Sequence, residues 1–266
     1  MGAVLALVVV IAVAVIGGRA LGKARERAEA NRAARSEAER TVTEQRDKMV
    51  DSLKKGDASA GMDAVGQMRG QLERSASTMK GEDAAAMKAM AEVLRKIEVP
   101  GKGYAAAIAR MKDAEVLQFK IREQATFEKH REIVREFLAR NDDLATAVAN
   151  TETITRETMK EAGISQAKID ATVAGMARGE ALTRRLKSKI RAADKTIGES
   201  ALGVLDQLEA NWGKWKFDET AGHLVFKDSE LLAAHNVLVG KIQDAGELQT
   251  KAQEKLVEVL RDVKTK

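Results

Sequence analysis

The sequence contains no cysteine, which excludes disulfide bonds, thiol nucleophiles and zinc sites built on cysteine. Proline occurs once, as Pro100, and only eight of the 266 residues are aromatic. Residues of high helix propensity, above all alanine, leucine, lysine, glutamate and arginine, dominate instead. The composition therefore predicts an all-α protein of one or two domains, in which any β-structure is small.

Polar side chains are absent from the segment between Gly2 and Gly18. As a helix these residues span ~25 Å, and the next three residues lengthen the span if Arg19 and Lys23 extend towards lipid head groups. We predict a transmembrane anchor over residues 1–22. A cleavable signal peptide, with an A-x-A site at 12–14, is the alternative, although no basic residue precedes the apolar run.

The stretch GGRALGK from Gly17 to Lys23 fits the G-x-x-x-x-G-K pattern of a phosphate-binding loop. The next residue is Ala24, where that motif needs a serine or threonine to hold magnesium. No later apolar strand ends in an aspartate, and a parallel sheet cannot be built from this chain. We therefore reject a nucleotide site and predict no cofactor.

The net charge of +5 is concentrated next to the predicted anchor. Residues 19–55 hold eleven Lys/Arg and seven Asp/Glu, a net charge of +4, and so residues 56–266 carry only +1. Arg19, Lys23, Arg25 and Arg27 are expected at the surface of a membrane with anionic lipids, or on a solvated helix face. No basic patch predicts nucleic-acid binding. The positive-inside rule places the bulk of the chain in the cytoplasm, with a periplasmic location as the alternative.

Beyond the anchor the periodicity predicts a helical juxtamembrane stalk over 23–56 and an elongated bundle of long amphipathic helices over 57–266. The stalk has so thin an apolar seam that we expect it to be loosely packed. The boundaries predicted within the bundle are a break at Gly81, a turn over 99–103, helix ends near 141–143 and at 162–163, and helix starts at Ser165 and Asp228. The last two long helices are expected to pair antiparallel.

Apolar and polar residues alternate on either side of 218–222, which predicts a β-hairpin at about 214–226. Half of the aromatic residues fall in or beside it: Trp212, Trp215, Phe217 and Phe226. We interpret these four as a candidate partner surface, and a plug that caps the bundle is the structural alternative.

No catalytic or metal-binding pattern is present. His130 lies in a charged run and is predicted to be solvated, whereas His235 shares an apolar stripe, and the histidines lack metal-ligand spacing. We predict that the chain is not an enzyme. The leading hypothesis is a membrane-tethered interaction or scaffold protein with a protein partner. The alternatives are a membrane-anchored ligand-binding or sensory domain with a pocket between helices, and self-association through the stalk.

Overall fold

The structure, a computed structural model, describes residues 25–262. These residues form seven α-helices, one 3-10 turn and one antiparallel two-stranded sheet, which confirms the helical bundle with a small hairpin. The elements are α1 (Arg25–Lys55), α2 (Ala58–Thr78), α3 (Glu82–Asp113), the 3-10 turn (Val116–Gln118), α4 (Ala125–Ala149), α5 (Thr151–Glu161), α6 (Gln166–Ala210), β1 (Trp215–Asp218), β2 (His223–Phe226) and α7 (Ser229–Asp262).

The predicted transmembrane segment lies outside the described residues, as do Arg19 and Lys23. Arg25 and Arg27 are in the first turn of α1. Among residues 25–262 no helix has the length and apolar character needed to cross a membrane.

Helix α1 packs along α2 and its later part belongs to the core. Ala38, Val42, Met49 and Val50 are all buried, so the expectation of a loosely packed helix is wrong over this stretch. The buried face of α1 is narrow because it consists of small residues and one methionine. These residues nevertheless recur at helical spacing, and α2 covers them.

The turn predicted at 99–103 is wrong, because α3 runs through it from Glu82 to Asp113 with Pro100 inside the helix. Gly101 serves helix packing rather than chain reversal. A Cβ atom at this position would overlap the sulfur of Met62, so the lack of a side chain at Gly101 lets Met62 of α2 pack directly on the backbone of α3. Tertiary contact has overridden the local turn signal.

The chain reverses instead between α3 and α4, around the 3-10 turn. Glu115 and Phe119 flank this turn in the left-handed region, with φ of 51° and 50°. Non-glycine residues rarely adopt such angles, and here the buried side chains of Val116, Phe119 and Ile121 hold the segment in place. No glycine marks the reversal, so the sequence carried no local signal for it.

Helix α4 continues past the end predicted near 141–143, and the chain breaks at Asn150 instead. Asn141 is almost fully buried and bonds to α6, so Asn141 is a core residue of a continuous helix. The other boundaries are confirmed. Gly81 and Gly163 lie between helices with positive φ, α6 follows Ser165, and Asp228 caps α7 by accepting the N–H of Glu230 at 2.8 Å.

Consecutive helices pack on one another, and α7 returns antiparallel along α6 as predicted. This arrangement gives the bundle two ends. At the near end, where α1 begins, Asn31 accepts the N–H of Lys80 at 3.3 Å, and Glu82 accepts the N–H of Ser165 at 2.7 Å. The hairpin end comprises the hairpin, the start of α4 and the start of α7. Helix α6 joins the two ends through 45 residues, a length of about 67 Å.

Candidate functional site

The β-hairpin is tied to the bundle through one of its faces. Trp215 pairs with Phe226 and Phe217 with Leu224, so these four side chains share the face turned towards the helices. The loop is held by Asp218, whose Oδ1 accepts the N–H groups of Ala221 at 3.0 Å and Thr220 at 2.9 Å. These two bonds lower the pKa of the Asp218 carboxyl, because they favour its ionised form.

Trp215 belongs to the core. It is only 6% exposed, and its indole Nε1 donates to the carbonyl of Leu208 at 2.7 Å. Its ring meets those of Trp212 and Phe127 edge to face, with centroids 5.2 and 6.3 Å apart. This side chain anchors the hairpin to the bundle, so it cannot contact a partner while the hairpin is docked.

Two members of the predicted aromatic set have more access to solvent. Trp212 is 40% exposed and leans edge-on against Phe127 at 5.7 Å. Phe217 is half-buried, with the ammonium of Lys120 5.7 Å from the centre of its ring. Beside it Glu219 forms ion pairs with Arg122 at 2.9 Å and Lys120 at 3.8 Å. The edge of the docked hairpin face therefore leaves Trp212 and Phe217 partly open to solvent, among charged side chains.

Phe226, the fourth member, is half-buried against His235, with ring centroids 4.8 Å apart. Phe119 meets the same imidazole edge to face at 6.3 Å. His235 is 7% exposed, and its Nδ1 is buried without a hydrogen-bond partner among the described residues. Burial lowers the pKa of His235, because the charged imidazolium is disfavoured there. His130 is also buried, so its predicted solvated position is wrong.

A cluster of polar side chains lies at the centre of the bundle, and it was not predicted. Tyr104 of α3 donates its hydroxyl proton to Asp194 Oδ2 at 2.7 Å, and Arg191 forms an ion pair with the same oxygen at 2.8 Å. Arg191 also donates to Tyr104 Oη and to Asn141 Oδ1, both at 3.0 Å. Gln249 of α7 donates to the other carboxylate oxygen. We call these five residues the central polar cluster.

The central polar cluster joins four helices and is closed to solvent. The guanidinium carbon of Arg191 lies 4.1 Å from the centre of the Tyr104 ring. Burial raises the pKa of Tyr104 well above its usual range, which keeps the phenol protonated as the donor to Asp194. Burial also raises the pKa of Asp194, an effect that Arg191 opposes. Both carboxylate oxygens of Asp194 are bonded, so the arrangement fixes the register of the four helices, while Arg191 Nε is buried without a hydrogen bond to any described residue.

A polar groove lies on the side of the bundle between α1, α2 and α3, with a cavity volume of about 690 Å³. Gly66 and Gly70 of α2 form part of its wall, and Glu98 of α3 is buried at its base. Glu98 accepts ion pairs from Lys102 at 2.7 Å and Arg69 at 2.8 Å. Burial raises the pKa of Glu98, but the hydrogen bonds from these two cations outweigh it and the net shift is downward.

Within the part of the chain that the structure describes, no group of three histidine or acidic residues could hold a metal ion. No protein family, curated protein or solved structure matches this chain. The described residues offer three candidate sites, which are the hairpin end, the central polar cluster and the groove.

Proposed function

We propose that this chain is a membrane-tethered, non-enzymatic interaction or scaffold protein, which holds a partner-binding surface away from the membrane. The tether is the apolar segment of residues 1–22, and the basic residues that follow it contact anionic lipids. The partner surface is the partly exposed edge of the hairpin end, around Trp212 and Phe217.

The observation that carries this proposal is the position of the hairpin. Helix α1, which follows the proposed tether, begins at the near end beside Lys80 and Asp83. The hairpin end is separated from it by the whole of α6, about 67 Å for 45 residues. A bundle of this shape acts as a spacer between an anchor and an aromatic surface.

The surface itself has the composition of a binding epitope. Trp212 is one of the few large apolar side chains with substantial exposure, at 40%. Lys214 and Lys216 beside it are exposed as well. Tryptophan is the residue most enriched at energetic centres of protein interfaces, where a rim of polar groups surrounds it. The buried Trp215 holds the hairpin against the bundle beside Trp212.

The test is partner capture by the full-length chain in its membrane, with a photo-crosslinking residue in place of the exposed Lys216. We expect Trp212→Ala combined with Phe217→Ala to reduce affinity for the captured partner at least about tenfold. Val237→Ala is the matched control, because Val237 is 60% exposed on α7. If the double variant keeps its circular dichroism spectrum and every partner, the hairpin is only a plug.

The tether is tested separately by alkaline extraction of membranes. We expect the full-length chain to stay with the membrane and a chain lacking residues 2–22 to be released. A topology reporter fused after Lys266 is expected to be cytoplasmic. Release of the full-length chain would end the tether proposal, and a periplasmic reporter would reverse the orientation.

The second candidate function is a membrane-anchored ligand-binding or sensory domain. The polar groove between α1, α2 and α3 is the observation that favours it, since ligand sites commonly lie between helices of a bundle. The groove is lined by polar groups rather than by the apolar walls of a typical drug-like pocket. Any ligand it takes is therefore hydrophilic.

A further inference from the structure

Gly66 and Gly70 form part of one wall of the groove, and charged groups lie directly over them. A Cβ atom at Gly66 would be 2.9 Å from Glu98 Oε1 and 3.8 Å from Lys102 Nζ. At Gly70 it would be 3.6 Å from Arg74 Nη1. Because Gly66 and Gly70 are one turn of α2 apart, the ammonium of Lys102 and the guanidinium of Arg74 stand side by side along the groove.

Two guanidinium groups of the groove keep donors that no described residue uses. Arg69 bonds through Nε to Glu98 and through Nη1 to Glu73, so its Nη2 has no partner there. Arg74 directs Nε and Nη2 to the amide oxygen of Gln71, and its Nη1 stays available. Lys102 uses one of its ammonium N–H groups in the ion pair with Glu98. Three cationic groups therefore present unused N–H donors to the same groove.

The opposite wall contributes an amide that lacks a partner. Gln45 of α1 lines the groove, is 6% exposed, and has a buried Oε1 without a hydrogen bond to any residue in 25–262. A buried amide oxygen left unbonded costs about 1–3 kcal/mol. A ligand hydroxyl or N–H that reaches Gln45 would remove this cost.

The charges of the lining decide the class of ligand. Arg69, Arg74 and Lys102 outnumber the lining carboxylates Asp63 and Glu98 by one. Arg69 and Lys102 share Glu98, and Arg69 also pairs with Glu73 beside the groove. Guanidinium and ammonium donors in this arrangement match the several terminal oxygens of a tetrahedral oxyanion. No aromatic ring lines the groove to stack on a neutral sugar.

We propose that this groove binds a small phosphate monoester that carries hydroxyl groups. Its phosphate contacts Arg69, Arg74 and Lys102, and a hydroxyl of the ester donates to Gln45. The inference supplies the ligand class for the second candidate function and does not depend on the hairpin end.

The test is calorimetric titration of the full-length chain with inorganic phosphate, glycerol 3-phosphate and glycerol at constant ionic strength. We expect both phosphates to bind, and Arg74→Gln combined with Lys102→Gln to weaken both at least about tenfold. Gln45→Leu should weaken glycerol 3-phosphate while leaving inorganic phosphate unchanged, because only the ester carries alcohol hydroxyls in addition to its phosphate group.

Arg95→Gln is the matched control for charge, since Arg95 is an exposed arginine of α3 that pairs with Glu92 outside the groove lining. Circular dichroism identifies any variant that fails to fold. No binding of either phosphate, or equal weakening by Arg95→Gln, would refute a phosphate site. Binding of glycerol as tight as that of glycerol 3-phosphate would refute the oxyanion class but keep a ligand-binding groove. Unaltered partner capture by the groove variants separates these outcomes from the hairpin proposal.

Discussion

Two arginine–carboxylate pairs of almost equal length lie in opposite surroundings. Arg191 and Asp194 are 2.8 Å apart at the bundle centre, with side chains 6% and 1% exposed. Arg122 and Glu219 are 2.9 Å apart at the hairpin end, with side chains 69% and 54% exposed. On distance alone the two pairs would have equal electrostatic interaction energies. They differ because water screens the charges of the outer pair and is excluded from the inner pair.

The two regions also hold their helices together by different means. The central polar cluster joins α3, α4, α6 and α7 through hydrogen bonds that leave both oxygens of Asp194 bonded. The hairpin end combines ring contacts among Trp212, Trp215 and Phe127 with ion pairs whose carboxylates are exposed to solvent. Removing a charge should therefore destabilise the fold most at the centre of the bundle. Introducing a charge should destabilise it most at the hairpin end.

The largest expected effect comes from breaking the inner pair. Asp194→Ala leaves Arg191 charged, buried and without its carboxylate, so we expect unfolding to become easier by about 3–5 kcal/mol. For a chain of this size that lowers the melting temperature by roughly 10 °C. Chemical denaturation followed by circular dichroism measures the loss.

Asp170→Ala is the matched control, because Asp170 lies on the same helix but is exposed and paired only at the surface with Arg156 and Gln166. We expect its stability to stay near that of the unaltered chain. The double change Arg191→Leu with Asp194→Leu should be milder than Asp194→Ala, since no unpaired charge remains. If Asp194→Ala is as stable as Asp170→Ala, the carboxylate of Asp194 is not needed to compensate the buried charge of Arg191.

The contrast between the two regions also explains what the sequence could predict. The hairpin was predicted because its alternation and loop are local signals within about a dozen residues. The central polar cluster was not, because its five members come from four helices and lie between residues 104 and 249. Asn141 lies in the segment 141–143 that was predicted to end a helix. No short-range pattern distinguishes a buried arginine on α6 from a solvated one.

Pro100 and the groove depend on contacts between helices in the same way. A Pro-Gly pair is a strong local turn signal, yet packing of Met62 against Gly101 keeps α3 continuous. The groove depends on that continuity, because Glu98 precedes the proline and Lys102 follows it on the same helix. Helical class and periodicity were readable in the sequence, whereas contacts between helices needed the structure.

Lowering the pH is expected to have an intermediate effect on stability, through protonation of His235 at the hairpin end. His235 has a lowered pKa through burial, so the folded chain binds fewer protons than the unfolded one below an ordinary histidine pKa of about 6.5. The stability contributed by neutral His235 is present above that pH and is lost as the pH falls towards the folded pKa. One proton changes the free energy of unfolding by no more than about 1.4 kcal/mol per pH unit.

Tryptophan fluorescence measures this transition, since Trp212 and Trp215 are the two tryptophans of the chain and both lie at the hairpin end. We expect the emission to shift towards that of exposed indole as the pH falls below about 6.5, and His235→Phe to abolish the shift. His130→Phe is the comparison, because His130 is buried with a pKa lowered by burial and by Lys129. If His130→Phe alone abolishes the shift, the sensitive group is on α4 and the Phe226–His235 contact is not the weak point.

The smallest expected effect comes from the outer pair. Glu219→Gln removes the ion pairs to Arg122 and Lys120 while keeping the shape of the side chain. Because all three groups are well exposed or half-buried, the change should alter the free energy of unfolding by less than about 1 kcal/mol, and by still less at 1 M salt. Denaturation at low and high salt measures it. A loss comparable with that of Asp194→Ala would mean that Glu219 restrains the hairpin through Lys120 and Phe217, and the hairpin end would then depend on charge as much as the centre does.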